Sequence, residues 1–83
     1  MPPRMRADIC DPNDTAAVER FRNSLHRLGA MRQAKDWVPD GDVYRMKIGD
    51  DHLSIFCDQW SLDIEGPEEL VRRVLREYEQ NVA

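Results

Sequence analysis

Apolar and polar residues alternate with a period of two in three consecutive segments, residues 44–48, 52–57 and 60–65. Because successive side chains of a β-strand point to opposite faces, this period predicts strands that each bury one face. The connections around Gly49 and Asp58 are short and polar, which favours an antiparallel meander. In the last of these strands, Trp60 is expected in the buried row with Leu62 and Ile64.

Two further segments have a less extensive strand pattern. In residues 4–10, apolar positions alternate with charged ones, which predicts a short edge strand whose charges discourage pairing with another molecule. In residues 31–38, the predicted shared face consists of Met31, Gln33, Lys35 and Trp37. The composition of this segment would equally suit a helix, but a strand is favoured because Gly29 ends the preceding element and residues 39–41 predict a turn.

Two segments repeat apolar residues at spacings of three and four, the pattern of an amphipathic helix. The first is predicted to begin with Asp11 as its cap and Pro12 as its first residue, and to end at Gly29. The second is predicted to begin at Pro67, with acidic residues in its first turn, where the helix dipole favours negative charge.

These elements predict an α+β fold in the order β-α-β-β-β-β-α, formed by residues 1–83 as a single domain. The fold is an antiparallel sheet of about five strands with two helices packed on one face. This arrangement buries the apolar stripe of each helix and one face of the sheet at once. The other sheet face is mostly polar, so it can lie in water or against a partner.

Charge is unevenly distributed along the chain, whose net charge is −4. Acidic side chains concentrate in residues 36–69, and arginines in residues 1–35 and the last helix. A sequence pI near 5.0 opposes the basic footprint that nucleic-acid binding requires. The acidic segment is either a surface that steers a charged protein partner or simply solvated, as loops and helix starts often are.

The sequence predicts a cytoplasmic protein that does not associate with a membrane. Apolar runs are only a few residues long, whereas roughly 20 residues span a bilayer. The basic residues near position 1 are not followed by the apolar stretch of a secretory signal. In a reducing compartment, Cys10 and Cys57 are expected as free thiols packed within strands, although a disulfide remains an alternative.

No motif typical of phosphate binding, metalloproteases or serine hydrolases occurs. The residues that zinc could use are Cys10, His26, His52 and Cys57. They lack the closely spaced pairs of zinc sites, so neither a metal nor a cofactor is expected. If the chain were an enzyme, its acid and base candidates would be His52, Asp58 and Asp63, the two acids bordering a cleft beside Trp60.

The outer sheet face is therefore the predicted functional surface, with Arg45, Lys47, His52, Phe56 and Asp63 as its candidate residues. An outward Phe56 beside basic residues would form an amphipathic patch of the kind found in interfaces, unless a neighbouring side chain covers it. The sequence favours a small non-enzymatic protein-interaction or regulatory module, which binds another protein or itself as a homodimer through this face or a strand edge. The alternatives are an enzyme with an unfamiliar site and nucleic-acid binding through Arg4, Arg6, Arg45 and Lys47.

Overall fold

The computed structural model describes residues 3–38 and 41–80, and within them every side chain except those of residues 34 and 36–38. The elements are β1 (Arg4–Cys10), α1 (Thr15–Arg27), β2 (Met31–Val38), β3 (Gly41–Ile48), β4 (Asp51–Asp58), β5 (Leu62–Pro67) and α2 (Glu68–Gln80). The predicted element order and the predicted α+β class are confirmed.

The sheet has five strands in the spatial order β1-β5-β4-β3-β2, with every neighbouring pair antiparallel. Strands β3 to β5 form the predicted meander, and β2 extends it by pairing with β3. The first strand lies beside the last one, with Arg4 opposite Pro67 and Ala7 opposite Ile64. The two edges of the sheet are therefore β1 and β2.

The core lies between the inner sheet face and the two helices. Its buried apolar side chains are Phe21, Leu25, Ile48, Leu53, Ile55, Leu62, Ile64, Leu70, Val71 and Val74. The helices also contact each other, because the rings of Phe21 and Tyr78 meet edge to face with centroids 6.4 Å apart. This one cluster uses the apolar stripe of each helix and the inward row of each central strand.

The helices do not cover the whole inner face. The backbone of α2 comes closest to β1, β5 and β4, and that of α1 comes closest to β1 and α2. On β3, only Ile48 at the end of the strand is fully buried in the core. Tyr44 and Met46, the inward residues in the middle of β3, are only half-buried. The fold thus leaves part of the apolar inner face of β3 only partly covered.

Helix α1 begins later than predicted. Asp14 is its cap, because the Asp14 carboxylate accepts a hydrogen bond from the Ala17 N–H at 3.1 Å. Asp11 instead accepts a hydrogen bond from the Asn13 N–H at 2.8 Å and shapes the turn before the helix. Both aspartates suit a cap by residue type, and the prediction chose the earlier one. Helix α2 begins at Glu68, one residue after the predicted Pro67, because Pro67 still belongs to β5.

Trp60 is not in the buried row of a strand. It lies in the connection between β4 and β5, and 79% of its surface is exposed. The Asp58 carboxylate accepts hydrogen bonds from the N–H groups of Trp60 and Ser61, both at 2.7 Å. This turn occupies the start of the predicted strand, so β5 begins at Leu62.

A shift of register in β2 changes the predicted face of that strand. Arg32 pairs with Met46 and Ala34 pairs with Arg45, so Gln33 has no partner and forms a bulge. The extra residue reverses the faces of the residues before it compared with those after it. Met31 therefore lies on the outer face, opposite Lys47, whereas Lys35 lies on the inner face, opposite Tyr44. The side chain of Trp37 and the predicted turn residues 39 and 40 lie outside the described part of the structure.

Candidate functional site

The outer sheet face holds the residues that the sequence assigns to an interaction surface. The β3–β4 register pairs Lys47 with His52 and Arg45 with Ser54, and the β4–β5 register pairs Phe56 with Asp63. Because opposed residues of antiparallel strands share a face, Arg45, Lys47, His52, Phe56 and Asp63 all lie on the side away from the helices. The structure therefore brings them onto one surface.

The β1–β5 half of this face has its charges paired. The Arg6 guanidinium donates hydrogen bonds to the Asp63 carboxylate at 3.0 and 3.3 Å, and Arg4 lies 3.6 Å from Glu65. Asp8 is opposite Asp63, and a hydrogen bond between their carboxyl groups raises the pKa of Asp8. Exposed ion pairs of this kind add little stability, but they leave this half with little net charge.

Phe56 is covered by a neighbouring side chain. The Arg6 guanidinium carbon lies 4.5 Å from the centre of the Phe56 ring, within the distance of a cation–π contact. The same guanidinium holds Asp63, so Arg6, Phe56 and Asp63 form one cluster across β1, β5 and β4. Phe56 is therefore half-buried and is not an open apolar patch.

The β2–β4 part of the same face is basic. We call it the Lys47 patch and define it by Met31, Arg45, Lys47 and His52. Met31, Lys47 and His52 lie in one row across three strands, and 65% of the Met31 surface is exposed. Among the described residues, no carboxylate lies within ion-pair distance of Lys47 or His52. The patch thus combines positive charge with an exposed, flexible apolar side chain.

The structure does not bring the acid and base candidates together. Asp63 is paired with Arg6, and Asp58 holds the β4–β5 turn. Asp63 lies opposite Phe56 of β4. His52 lies four residues before Phe56 on the same strand, about 13 Å away along it. The alternative of an acidic cleft at Trp60 is not formed, because Asp63 and Asp58 are engaged separately and 79% of the Trp60 surface is exposed.

The residues considered for zinc are also separated. His52 is on the outer face, His26 is exposed near the end of α1, and the two cysteines lie on either side of Leu62 in the ladder. No group of three or more possible metal ligands occurs in the described part of the chain. Cys10 and Cys57 are free thiols. The pKa of each thiol is raised, mainly because the thiol is partly buried.

A comparison with protein-family models, with curated proteins and with solved structures finds no match. No helix in the described ranges is long and apolar enough to cross a membrane.

Two exposed apolar side chains, Met31 and Trp60, are absent from the predicted surface, although Trp60 is, with Trp37 and Phe56, one of the aromatics for which the sequence leaves exposure open. Met31 reaches the outer face only because of the bulge at Gln33, for which the sequence carries no marker. Trp60 is exposed because Asp58 closes a turn, and the spacing from Asp58 to Ser61 is a signal that could have identified it.

Proposed function

We propose that this chain is a non-enzymatic protein-interaction domain that binds an acidic segment of a partner protein at the Lys47 patch. The observation that carries the proposal is the row formed by Lys47, His52 and the exposed Met31. A basic row beside one exposed apolar side chain suits a segment that presents carboxylates and at least one apolar residue.

The distribution of charge over the outer face favours a protein partner over a nucleic acid. Arg4 and Arg6 are paired with Glu65 and Asp63, so half of the basic residues of the nucleic-acid hypothesis have a carboxylate beside them. Those carboxylates would repel phosphates across the β1–β5 half of the face. An acidic peptide segment can bind the Lys47 patch alone without crossing that region.

The test is an NMR titration of the full chain with two probes, a short peptide that alternates Glu and Leu and a single-stranded oligonucleotide of equal charge. We expect the peptide to shift the amide signals of Met31, Lys47 and His52. We expect Lys47→Glu to weaken peptide binding about tenfold or more, because it reverses a charge at the contact. Arg76→Glu is the matched control, because Arg76 is exposed on α2 and its reversal gives the same net charge.

Three results would count against the proposal. The first is the absence of shifts with the peptide up to about 1 mM, a concentration that detects binding energies near 4 kcal/mol. The second is an equal loss of peptide binding in Arg76→Glu, which would indicate a general effect of charge. The third is tighter binding of the oligonucleotide with shifts that include Arg4 and Arg6, which would favour the nucleic-acid alternative.

A further inference from the structure

An apolar groove of about 420 Å³ opens on the helix side of the sheet, between α1 and the inner face of β3 and β4. It exists because the side chains of α1 cover Tyr44 and Met46 of β3 only in part. The apolar side chains that form its walls include Val18, Phe21, Tyr44, Met46 and Cys57. Its volume lies within the range of about 300–1,000 Å³ that binding pockets have.

The charged residues at the rim of this groove are basic. Arg22 and Arg32 both line it, and both are exposed, so their guanidinium groups lie at its opening. The nearby Lys35 and Asp42 lie 3.9 Å apart and balance each other. An occupant that matches the groove therefore has an apolar group for the walls and a negative charge for the two arginines.

The same chain presents such a group at the adjacent end of the sheet. Trp60 is the most exposed large apolar side chain of the described residues, and Asp58 in the same turn is ionised, since hydrogen bonds from Ser61 and Trp60 lower its pKa. An exposed tryptophan costs free energy in water and is among the commonest anchors of interfaces. The turn thus combines an apolar anchor with a carboxylate.

We propose that Trp60 of one copy inserts into the groove of a second copy, and that the reverse insertion completes a two-fold symmetric dimer. Cys57 and Leu62 flank the turn that carries Trp60, and both also line the groove. Anchor and groove are therefore neighbours on one surface, as an isologous contact requires. Each insertion places the Asp58 carboxylate near Arg22 and Arg32 of the other copy.

This dimer uses the helix side of the sheet and leaves the Lys47 patch on the opposite face uncovered. The inference therefore does not depend on the proposed function. If both hold, the dimer presents two patches, and a partner with two acidic segments binds more tightly than a partner with one.

The test measures the mass of the full chain by sedimentation equilibrium over a range of concentrations. We expect a monomer–dimer equilibrium with a dissociation constant of about 1 mM or tighter. In a Trp37→Phe background, the fluorescence reports Trp60 alone, and its emission is expected to shift to the blue as the concentration rises, because insertion removes the indole from water.

Two variants separate the anchor from the groove. Trp60→Ala is expected to weaken dimerisation at least about 30-fold, the usual effect of removing a central aromatic anchor. The double variant Arg22→Glu with Arg32→Glu is expected to weaken it about tenfold or more by charge repulsion against Asp58. Arg73→Glu with Arg76→Glu is the matched control, since both residues are exposed on α2 and the change in net charge is the same. Circular dichroism verifies that each variant is folded.

Several outcomes would overturn the proposal. A chain that stays monomeric up to about 1 mM has no such dimer. A dimer that persists in both Trp60→Ala and the double groove variant uses another surface, such as a strand edge or the outer face. A blue-shifted Trp60 emission that does not depend on concentration would place the ring in the groove of its own chain. Equal weakening in the α2 control would assign the effect to net charge alone.

Discussion

The Asp58 carboxylate accepts hydrogen bonds from two consecutive backbone N–H groups, those of Trp60 and Ser61. These bonds stabilise the charged form of the carboxylate and lower its pKa below the ordinary value of 3.8. One side chain thereby ends β4, delays the start of β5 and keeps Trp60 out of the core. At this scale a local hydrogen bond outweighs the apolar character of a tryptophan.

The first prediction concerns this carboxylate. Because its pKa is lower in the folded chain than in the unfolded chain, ionised Asp58 stabilises the fold above about pH 3.8, and this contribution is lost as the pH falls through the folded pKa. We expect Asp58→Asn to lower the urea midpoint at pH 6 and to match the wild type at the lowest pH at which both fold. The raised pKa of Asp8 changes stability with pH in the opposite direction. Because Asp8 is present in both proteins, its contribution cancels in the difference in stability between wild type and Asp58→Asn. A difference that does not vary with pH would contradict the assignment.

Gly41 lies against the backbone of β4, at the end of the β3–β4 ladder. A Cβ atom placed there would collide with the carbonyl oxygen of Cys57 and lie 2.8 Å from the Cα atom of Asp58. Gly49, in the turn between the same strands, has a different reason to be glycine, because its φ is +63° and its surroundings are open. The two ends of one hairpin thus need glycine for a steric and a conformational reason, respectively.

The second prediction compares alanine at these two positions. Gly41→Ala should destabilise the chain by about 1–3 kcal/mol or more, because backbone atoms that cannot move independently must separate. Gly49→Ala should cost about 1–2 kcal/mol, the penalty of a left-handed residue. Urea unfolding gives both values, and hydrogen exchange should show faster exchange of the β3–β4 amides near Asp42 and Cys57 in Gly41→Ala only. Unchanged protection there would argue against the close approach.

One apolar cluster joins both helices to the sheet, so the whole molecule should unfold as a unit. Leu53 and Ile64 are completely buried on neighbouring central strands, in the same core cluster as Val71 and Val74 of α2. A domain of this size is stable by about 4–12 kcal/mol, so one central side chain represents a large fraction of the total.

The third prediction concerns Leu53, one of these central side chains. Leu53→Ala should lower the free energy of unfolding by about 2–5 kcal/mol, because it leaves a cavity that the packed core cannot close. Met31→Ala is the control, since 65% of the Met31 surface is exposed and surface substitutions change stability by less than about 0.5 kcal/mol. Urea unfolding followed by circular dichroism measures both. A similar loss in the two variants would mean that Leu53 is not central to the core.

The candidate surface was only partly predictable from the sequence. Strict alternation in β3 and β4 correctly places Lys47 and His52 on one face, because the direction of a side chain in a regular strand is a local property. Alternation fails for Met31, because a bulge shifts the register of β2. The cover over Phe56 also could not be predicted, since Arg6 reaches it from a strand distant in the sequence.

The sequence by itself determined the types of the elements, their order and the inward residues of the regular strands, because periods of 2 and 3.6 arise within each segment. Only the tertiary structure decided that β1 pairs with β5 and that the helices leave Tyr44 and Met46 of β3 half-buried. Those features depend on how separate segments together bury the most apolar surface, and no single segment encodes that balance. The apolar groove is a product of that tertiary arrangement, whereas the exposure of Trp60 beside it follows from the local turn at Asp58.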